Sequence, residues 1–190
     1  MRVIAGSQKG RRLLSLKGAA IRPTPGRVKE ALFSILGNRI NGARFLDLYA
    51  GTGAIGIEAL SRGAEQVVFV EPNPASLHIL RANLERCHMS STAEVHACSV
   101  EEFLKRAGQW NIAFDIIFAD PPYRLDSVSM LLPSLERSVI IGPETIVILE
   151  HPTKHSIPER IGHLSLLRHY RYGDTSLSTF QVRPEGTFTP

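Results

Sequence analysis

Cysteine is scarce in this chain: only Cys87 and Cys98 occur, and they do not form a Cys-x-x-Cys pair. Two thiols make no disulfide framework for a chain of this size, so a small stapled secreted fold is excluded and a cytoplasmic location is expected. Long apolar runs are also missing. No stretch reaches the length of a signal-peptide core or a membrane-spanning helix, and no membrane association is expected. The histidines at 151, 155, 163 and 169 show no metal-ligand spacing, so no metal is expected. Internal repeats and low-complexity tracts are absent. Tryptophan occurs once, at Trp110, and is assigned to packing. Acidic residues are rare early on: Glu30 is the only one before Asp47.

That last shortage leaves the early cations uncompensated. Lys9, Arg11, Arg12, Lys17, Arg22, Arg27 and Lys29 all precede the first glycine-rich loop, in a chain of net charge +4. A one-sided basic cluster suits an anionic partner such as a nucleic-acid backbone, although each cation alone could be a solvated surface charge. With 190 residues, 43% of them hydrophobic, the chain can bury the core of one domain. The expectation is a single domain over 1–190, with 1–40 as a basic N-terminal extension, acting as a monomer.

The extension reads as a hairpin, with strands at Arg2 to Ala5 and Arg11 to Leu16. Pro23 and Pro25 keep the next residues extended. Thr24 can then cap a helix that carries Val28, Ala31, Leu32, Ile35 and Leu36 on one face. From Arg44, strands at 44–48, 66–71, 93–98, 115–119 and 145–150 alternate with helices at 54–62, 74–87, 100–107 and 127–137. Alternation of this kind implies a parallel sheet covered on both faces. His163 to Tyr172 and Ser176 to Arg183 read as an antiparallel pair at the sheet edge, joined by Gly173-Asp174. The fold class is therefore α/β, Rossmann-like, mostly parallel with an antiparallel C-terminal edge.

Two motifs carry chemistry. The first runs from Phe45 to Leu60. A strand containing Asp47 leads into Tyr49-Ala50-Gly51-Thr52-Gly53-Ala54-Ile55-Gly56, and a helix follows. Glycines at 51 and 53 let the backbone turn tightly and approach a ligand. The next strand ends in Glu71, about 20 residues on, the spacing that suits a ribose diol. Asp47 argues against a dinucleotide site, because an acid there suits a cationic amino-acid moiety better than a pyrophosphate. Taken singly, Asp47 could be a helix cap and Glu71 an ordinary strand-end charge; their order and spacing together favour a cofactor site.

The second motif is Asp120-Pro121-Pro122-Tyr123, after the apolar run Phe114 to Ala119. The prolines stiffen the backbone and leave carbonyls that need outside partners. An aromatic face can stack on a planar group, while the carboxylate and a carbonyl accept hydrogen bonds from an amino group in that plane. The set is suited to holding a planar exocyclic amine.

Asp-x-x-x-Gly-x-Gly is similar to the first motif of S-adenosylmethionine-dependent methyltransferases, and Asp-Pro-Pro-Tyr resembles the fourth motif of the amino-methylating branch. The chain as a whole resembles the bacterial RsmD family. The carrying residues are Val3 to Gly6, Gly10 to Leu13, Arg22-Pro23-Thr24, Arg27 to Phe33, Leu46 to Gly53, Glu58 to Ala64, Asp120 to Tyr123 and Tyr170 to Thr175. One departure is Gly26, where the family has an acid before its arginine.

The resemblance implies methylation of a guanine N2 amine in 16S ribosomal RNA, free or in the small subunit, with S-adenosyl-L-methionine as donor. Asp47 would hold the methionine end, and Tyr49, Ala50, Gly51, Thr52 and Gly53 would pass beneath it. Glu71 would accept the ribose hydroxyls, with Pro72 and Asn73 near the adenosine. Ser99 and Val100 would flank the adenine. Asp120 and the Pro121 carbonyl would orient the amine, with Pro122 stiffening the turn, and Tyr123 would stack on the base. Lys9, Arg11, Arg12, Arg22, Arg27 and Lys29 would contact RNA phosphates. The competing readings are an amino-methyltransferase on DNA or protein glutamine, and a non-catalytic RNA-binding assembly factor. The first would favour Asn in place of Asp120 and leaves Arg22-Pro23-Thr24 unexplained. The second gives no reason for Asp47, Glu71 and Asp120 together.

Overall fold

In the computed structural model, the described residues are 1–16, 26–109, 113–122 and 125–183. The chain divides into two compact units, Met1–Val100 and Glu101–Pro190.

The first unit contains α1 (Gly26–Leu36), β1 (Arg44–Leu48), α2 (Ala54–Ser61), β2 (Gln66–Val70), α3 (Pro74–Arg86) and β3 (Ala93–His96). Its strands are parallel, in the order β3-β2-β1. Strands β1 and β2 are apolar and buried almost throughout, as a parallel sheet with covered faces requires. Asp47 is the exception, an acid only 1% exposed.

The third glycine of the loop motif has a packing role. Gly56 lies in α2 against β2, and a Cβ there would overlap the Phe69 ring edge and come within 2.8 Å of Val67 Cγ1. Both neighbours are buried, so relief would need α2 to move off the sheet. Gly56→Ala is expected to destabilise the protein by about 1–3 kcal/mol through overpacking. A urea midpoint equal to that of the parent would contradict this.

The N-terminal hairpin is reduced to a single antiparallel bridge, Arg2 with Arg12. The reason lies in where its backbone donors go. Glu58 on α2 accepts the Ile4 and Ala5 N–H groups at 2.8 and 2.9 Å, and Ser61 takes those of Ser7 and Gln8. These donors are spent on a helix and cannot build a cross-strand ladder. Gly6 is pressed so close to the Ser61 carbonyl that any Cβ would overlap it. Residues 1–16 therefore lie on α2 and α3. The helix expected after Pro25 forms from Gly26; Thr24 and Pro25 lie outside the described residues.

The second unit contains α4 (Val100–Lys105, beginning at the boundary), β4 (Phe114–Ala119), α5 (Leu125–Glu136), β5 (Ile141–Pro152), β6 (Arg160–Ile161), β7 (Leu164–Tyr172) and β8 (Thr175–Val182). The strand order is β4-β5-β8-β7-β6, with β4 and β5 parallel and the rest antiparallel. The expected hairpin around Gly173-Asp174 is β7–β8. Strand β5 starts four residues earlier than expected. Helix α5 continues through Pro133.

A buried histidine is explained by polar pairing. The His151 Nδ1–H group faces the Pro152 carbonyl at 3.0 Å, so Nε2 is the acceptor for the Ser178 hydroxyl at 2.8 Å. His169 Nδ1 then donates to the same hydroxyl oxygen at 2.9 Å. Burial lowers the His151 pKa, consistent with a neutral ring. No helix among the described residues is long and apolar enough to cross a membrane.

Candidate functional site

The loop leaving β1 is held in an uncommon backbone conformation. Tyr49, Gly51 and Gly53 all have positive φ, at 63°, 54° and 81°. Glycine adopts this region freely; Tyr49 does not, and a non-glycine residue there costs on the order of 1–3 kcal/mol. Strain at the first residue after a strand is compensated by fixed neighbours. Glu71 supplies them: Oε2 accepts the Gly51 N–H at 2.8 Å, and Oε1 accepts the Asn73 N–H at 2.8 Å. One carboxylate at the end of β2 thus ties the glycine loop to the turn before α3.

Asp47 and Asn73 serve the helices. Asp47 Oδ2 accepts the Gly56 N–H at 2.9 Å, in the first turn of α2. Asn73 caps α3, its Oδ1 accepting from Ala75 and Ser76 at 2.9 and 3.2 Å, with Pro74 at the first helical position. Pro72 and Asn73 are exposed, Ser99 is exposed, and Val100 is buried at the start of α4. Strand β3 ends at His96, two residues short of expectation, so Ser99 stands in the turn before α4.

This arrangement fits an S-adenosylmethionine-like group. A Cβ added at Gly51 would meet nothing within 4 Å, so open space faces the middle of the loop. Carboxylates at the ends of β1 and β2 flank the loop in sequence. Each carboxylate oxygen has two lone pairs, so the backbone bonds of Glu71 leave acceptor capacity for hydroxyl donors.

The second unit holds the other motif. Asp120 follows β4 and is half-buried; Pro121 is buried and Pro122 exposed. Burial pushes the Asp120 carboxyl up to about 7. Its proton affinity is therefore poised near neutrality, as functional carboxyls often are. Tyr123 lies outside the described residues.

The cationic set separates. Lys9, Arg11, Arg12 and Arg27 are exposed, and Arg22 lies outside the described residues. The Arg11 guanidinium donates to the Arg86 carbonyl at 2.7 Å. Lys29 departs from expectation: it is 3% exposed, with its ammonium 2.9 Å from Glu58 Oε2 and 2.9 Å from the Arg2 carbonyl. It is an internal ion-pair partner and offers no surface to a phosphate.

Two residues of this region escaped the sequence reading of roles. Glu58, fully buried, accepts from Ile4, Ala5, Lys29 and Arg62. Its sequence signal was a lone charge in the apolar helix Ala54–Ser61. Asn83, also fully buried, bonds Leu14 and Thr52. Nothing in the polar sequence of α3 distinguishes it from a surface asparagine.

Known proteins share this outline. The family described as Conserved hypothetical protein 95 matches residues 1–181. Ribosomal RNA small subunit methyltransferase D of Haemophilus influenzae is 37% identical over 151 residues, covering 79% of this chain and 78% of that one. The protein of the same name from Escherichia coli K12 is 30% identical over 186 residues, covering 98% and 92%. The solved structure of a hypothetical protein from Thermus thermophilus superposes with a TM-score of 0.83 at 32% identity, covering 96% of this chain and 99% of that one.

Proposed function

From the premise that the chain belongs to the RsmD family, described as Conserved hypothetical protein 95, we propose that it is an S-adenosylmethionine-dependent methyltransferase acting on small-subunit ribosomal RNA, at the N2 amine of a guanine. The carrying observation is the tie between Glu71 and the strained Tyr49–Gly53 loop, together with an Asp120 carboxyl poised near neutral pH. The family's bacterial small-subunit relatives support the substrate and a cytoplasmic setting.

Bound S-adenosylmethionine supplies an electrophilic methyl on a sulfonium. Asp47 places negative charge for the methionine ammonium, and Glu71 accepts from the ribose hydroxyls. The guanine amine is a poor nucleophile because its lone pair is delocalised into the ring. Asp120, as the carboxylate, and the Pro121 carbonyl accept hydrogen bonds from the two N–H groups. This favours pyramidal nitrogen and frees the lone pair for attack. The surplus proton would pass to the Asp120 carboxylate and from it to water after transfer, so no strong base is needed. Catalysis rests on orientation and electrostatic placement. Tyr123 stacks on the base, which must leave its own stack to react. Lys9, Arg11, Arg12, Arg22 and Arg27 position the RNA backbone without reading sequence.

The test of the activity is transfer of labelled methyl from S-adenosylmethionine to small-subunit RNA and to assembled subunits, with the product nucleoside identified by mass. Label on N2-methylguanosine supports the proposal; no transfer to either substrate refutes it. For the cofactor residues, Asp47→Asn and Glu71→Gln keep shape and remove charge. Each is expected to weaken S-adenosylmethionine binding about 10- to 150-fold, the loss of a charge-assisted hydrogen bond worth about 1.5–3 kcal/mol. Calorimetry giving parental affinity for both variants would remove these residues from the site.

A further inference from the structure

The N-terminal segment and the cofactor loop are held by one side chain. Asn83, in the third turn of α3 and fully buried, accepts the Leu14 N–H on Oδ1 at 2.7 Å. Its Nδ2 donates to the Leu14 carbonyl at 3.1 Å and to the Thr52 carbonyl at 3.0 Å. Both amide hydrogens are therefore spent, one on each segment. Thr52 stands between Gly51 and Gly53, the left-handed residues of the cofactor loop. Leu14 is two residues after Arg12, in the segment proposed to meet RNA.

A second tether runs parallel to the first. Glu58 holds Ile4 and Ala5 from α2, the helix that continues directly from the same loop. The glycine loop is thus bound to the N-terminal segment on two sides, through α2 and through Asn83. A buried carboxamide with three fixed partners has little freedom to accommodate movement of one without moving the other.

We infer that Asn83 is a positioning residue that couples the N-terminal basic segment to the cofactor loop, so that occupancy of either one stabilises the bound arrangement of the other. The inference rests on the reading of this loop as the S-adenosylmethionine site. Coupling between binding sites is reciprocal, so RNA captured by the segment around Arg11 and Arg12 would strengthen cofactor binding by the factor with which cofactor strengthens RNA binding. The basic segment would then act as a sensor that readies the methyl donor only when RNA is engaged.

The test uses the intact chain and S-adenosylhomocysteine as probe. Hydrogen exchange of the Leu14 amide is followed with and without the probe. That amide's hydrogen bond is to Asn83 and not to the loop, so the carboxamide is the most direct route from loop occupancy to it, and Asn83→Asp separates this route from the one through α2. Saturating probe is expected to slow its exchange at least about fivefold. In Leu14→Pro, which removes this N–H at an exposed position, calorimetry is expected to show probe affinity reduced about 5- to 20-fold. Asn83→Asp, which turns an acceptor towards both carbonyls, should do the same or more. If the probe binds the parent protein while Leu14 exchange is unchanged and Leu14→Pro binds with parental affinity, the coupling is refuted. If the probe does not bind the parent at all, the cofactor assignment itself has failed.

Discussion

Asp120→Ala is expected to lower single-turnover methyl transfer about 100- to 1,000-fold, with S-adenosylmethionine affinity changed no more than about threefold. The asymmetry follows from when its hydrogen bonds are made. The amine gains most from a carboxylate acceptor as its nitrogen becomes tetrahedral, so the interaction is stronger in the transition state than in the bound complex. The pH dependence gives an independent readout. Burial raises the Asp120 carboxyl to about 7, so below that pH the free enzyme carries a neutral acid, which donates where acceptance is required. The rate at subsaturating RNA should therefore fall as pH drops through about 7, because that regime reports the free enzyme. Asp120→Asn should lose the acidic limb along with most of the rate. A parental rate in Asp120→Ala would remove this residue from the chemistry.

The largest effect on stability is expected at Glu58. Its two oxygens accept four donors: Ile4 N–H and Lys29 Nζ on Oε2, Ala5 N–H and Arg62 Nε on Oε1. Four is the full acceptor capacity of a carboxylate. Glu58→Gln turns an NH2 group towards two of those donors and leaves the buried Lys29 ammonium without its counter-charge. Removing one partner of a buried pair costs about 3–5 kcal/mol. Arg62 also lies 4.6 Å from the Phe33 ring centroid, so the loss extends to the docking of α1. Burial by itself would raise the Glu58 carboxyl, but the Ile4 hydrogen bond and the Lys29 and Arg62 partners outweigh it and hold the group below its ordinary 4.5. Its stabilisation is thus complete above pH 4.5 and is lost as pH falls through the lower folded value. The urea midpoints of the parent and Glu58→Gln should differ widely at neutral pH and converge in acid. Equal midpoints at neutral pH would contradict the role.

Much of the first unit was legible because local signals and burial agree there. Strand β1 forms at 44–48 as its apolar run dictates, and α3 begins at Pro74 because Asn73 caps it. Expected to close the strand at 66–71, Glu71 stands one residue past β2, which ends at Val70. What could not be read depends on partners far away in the chain. Arg2 to Ala5 has strand composition, yet the Ile4 and Ala5 N–H groups are claimed by Glu58, more than 50 positions later. Lys29 sits in a basic run and counts as a surface charge by composition alone; only the approach of Glu58 makes it internal. Asn83 carries no local signal, since its role exists only where Leu14 and Thr52 converge. Strand β5 exceeds its apolar core because Thr145 binds both the Gly142 N–H and the Phe114 carbonyl, which extends order into the polar residues before it.

The span of these tethers sets an order of events during synthesis. Leu14 cannot dock until Asn83, 69 residues later, has emerged from the ribosome. At about 5–20 residues per second, its backbone donor waits roughly 3–14 s for its acceptor. Ile4 and Ala5 wait somewhat less, for Glu58. Until Glu58 emerges, Ile4 and Ala5 have no acceptor on α2, and the single bridge between Arg2 and Arg12 cannot hold the segment alone. The stretch around Leu14 therefore settles only after α3 has formed, although it is made well before it.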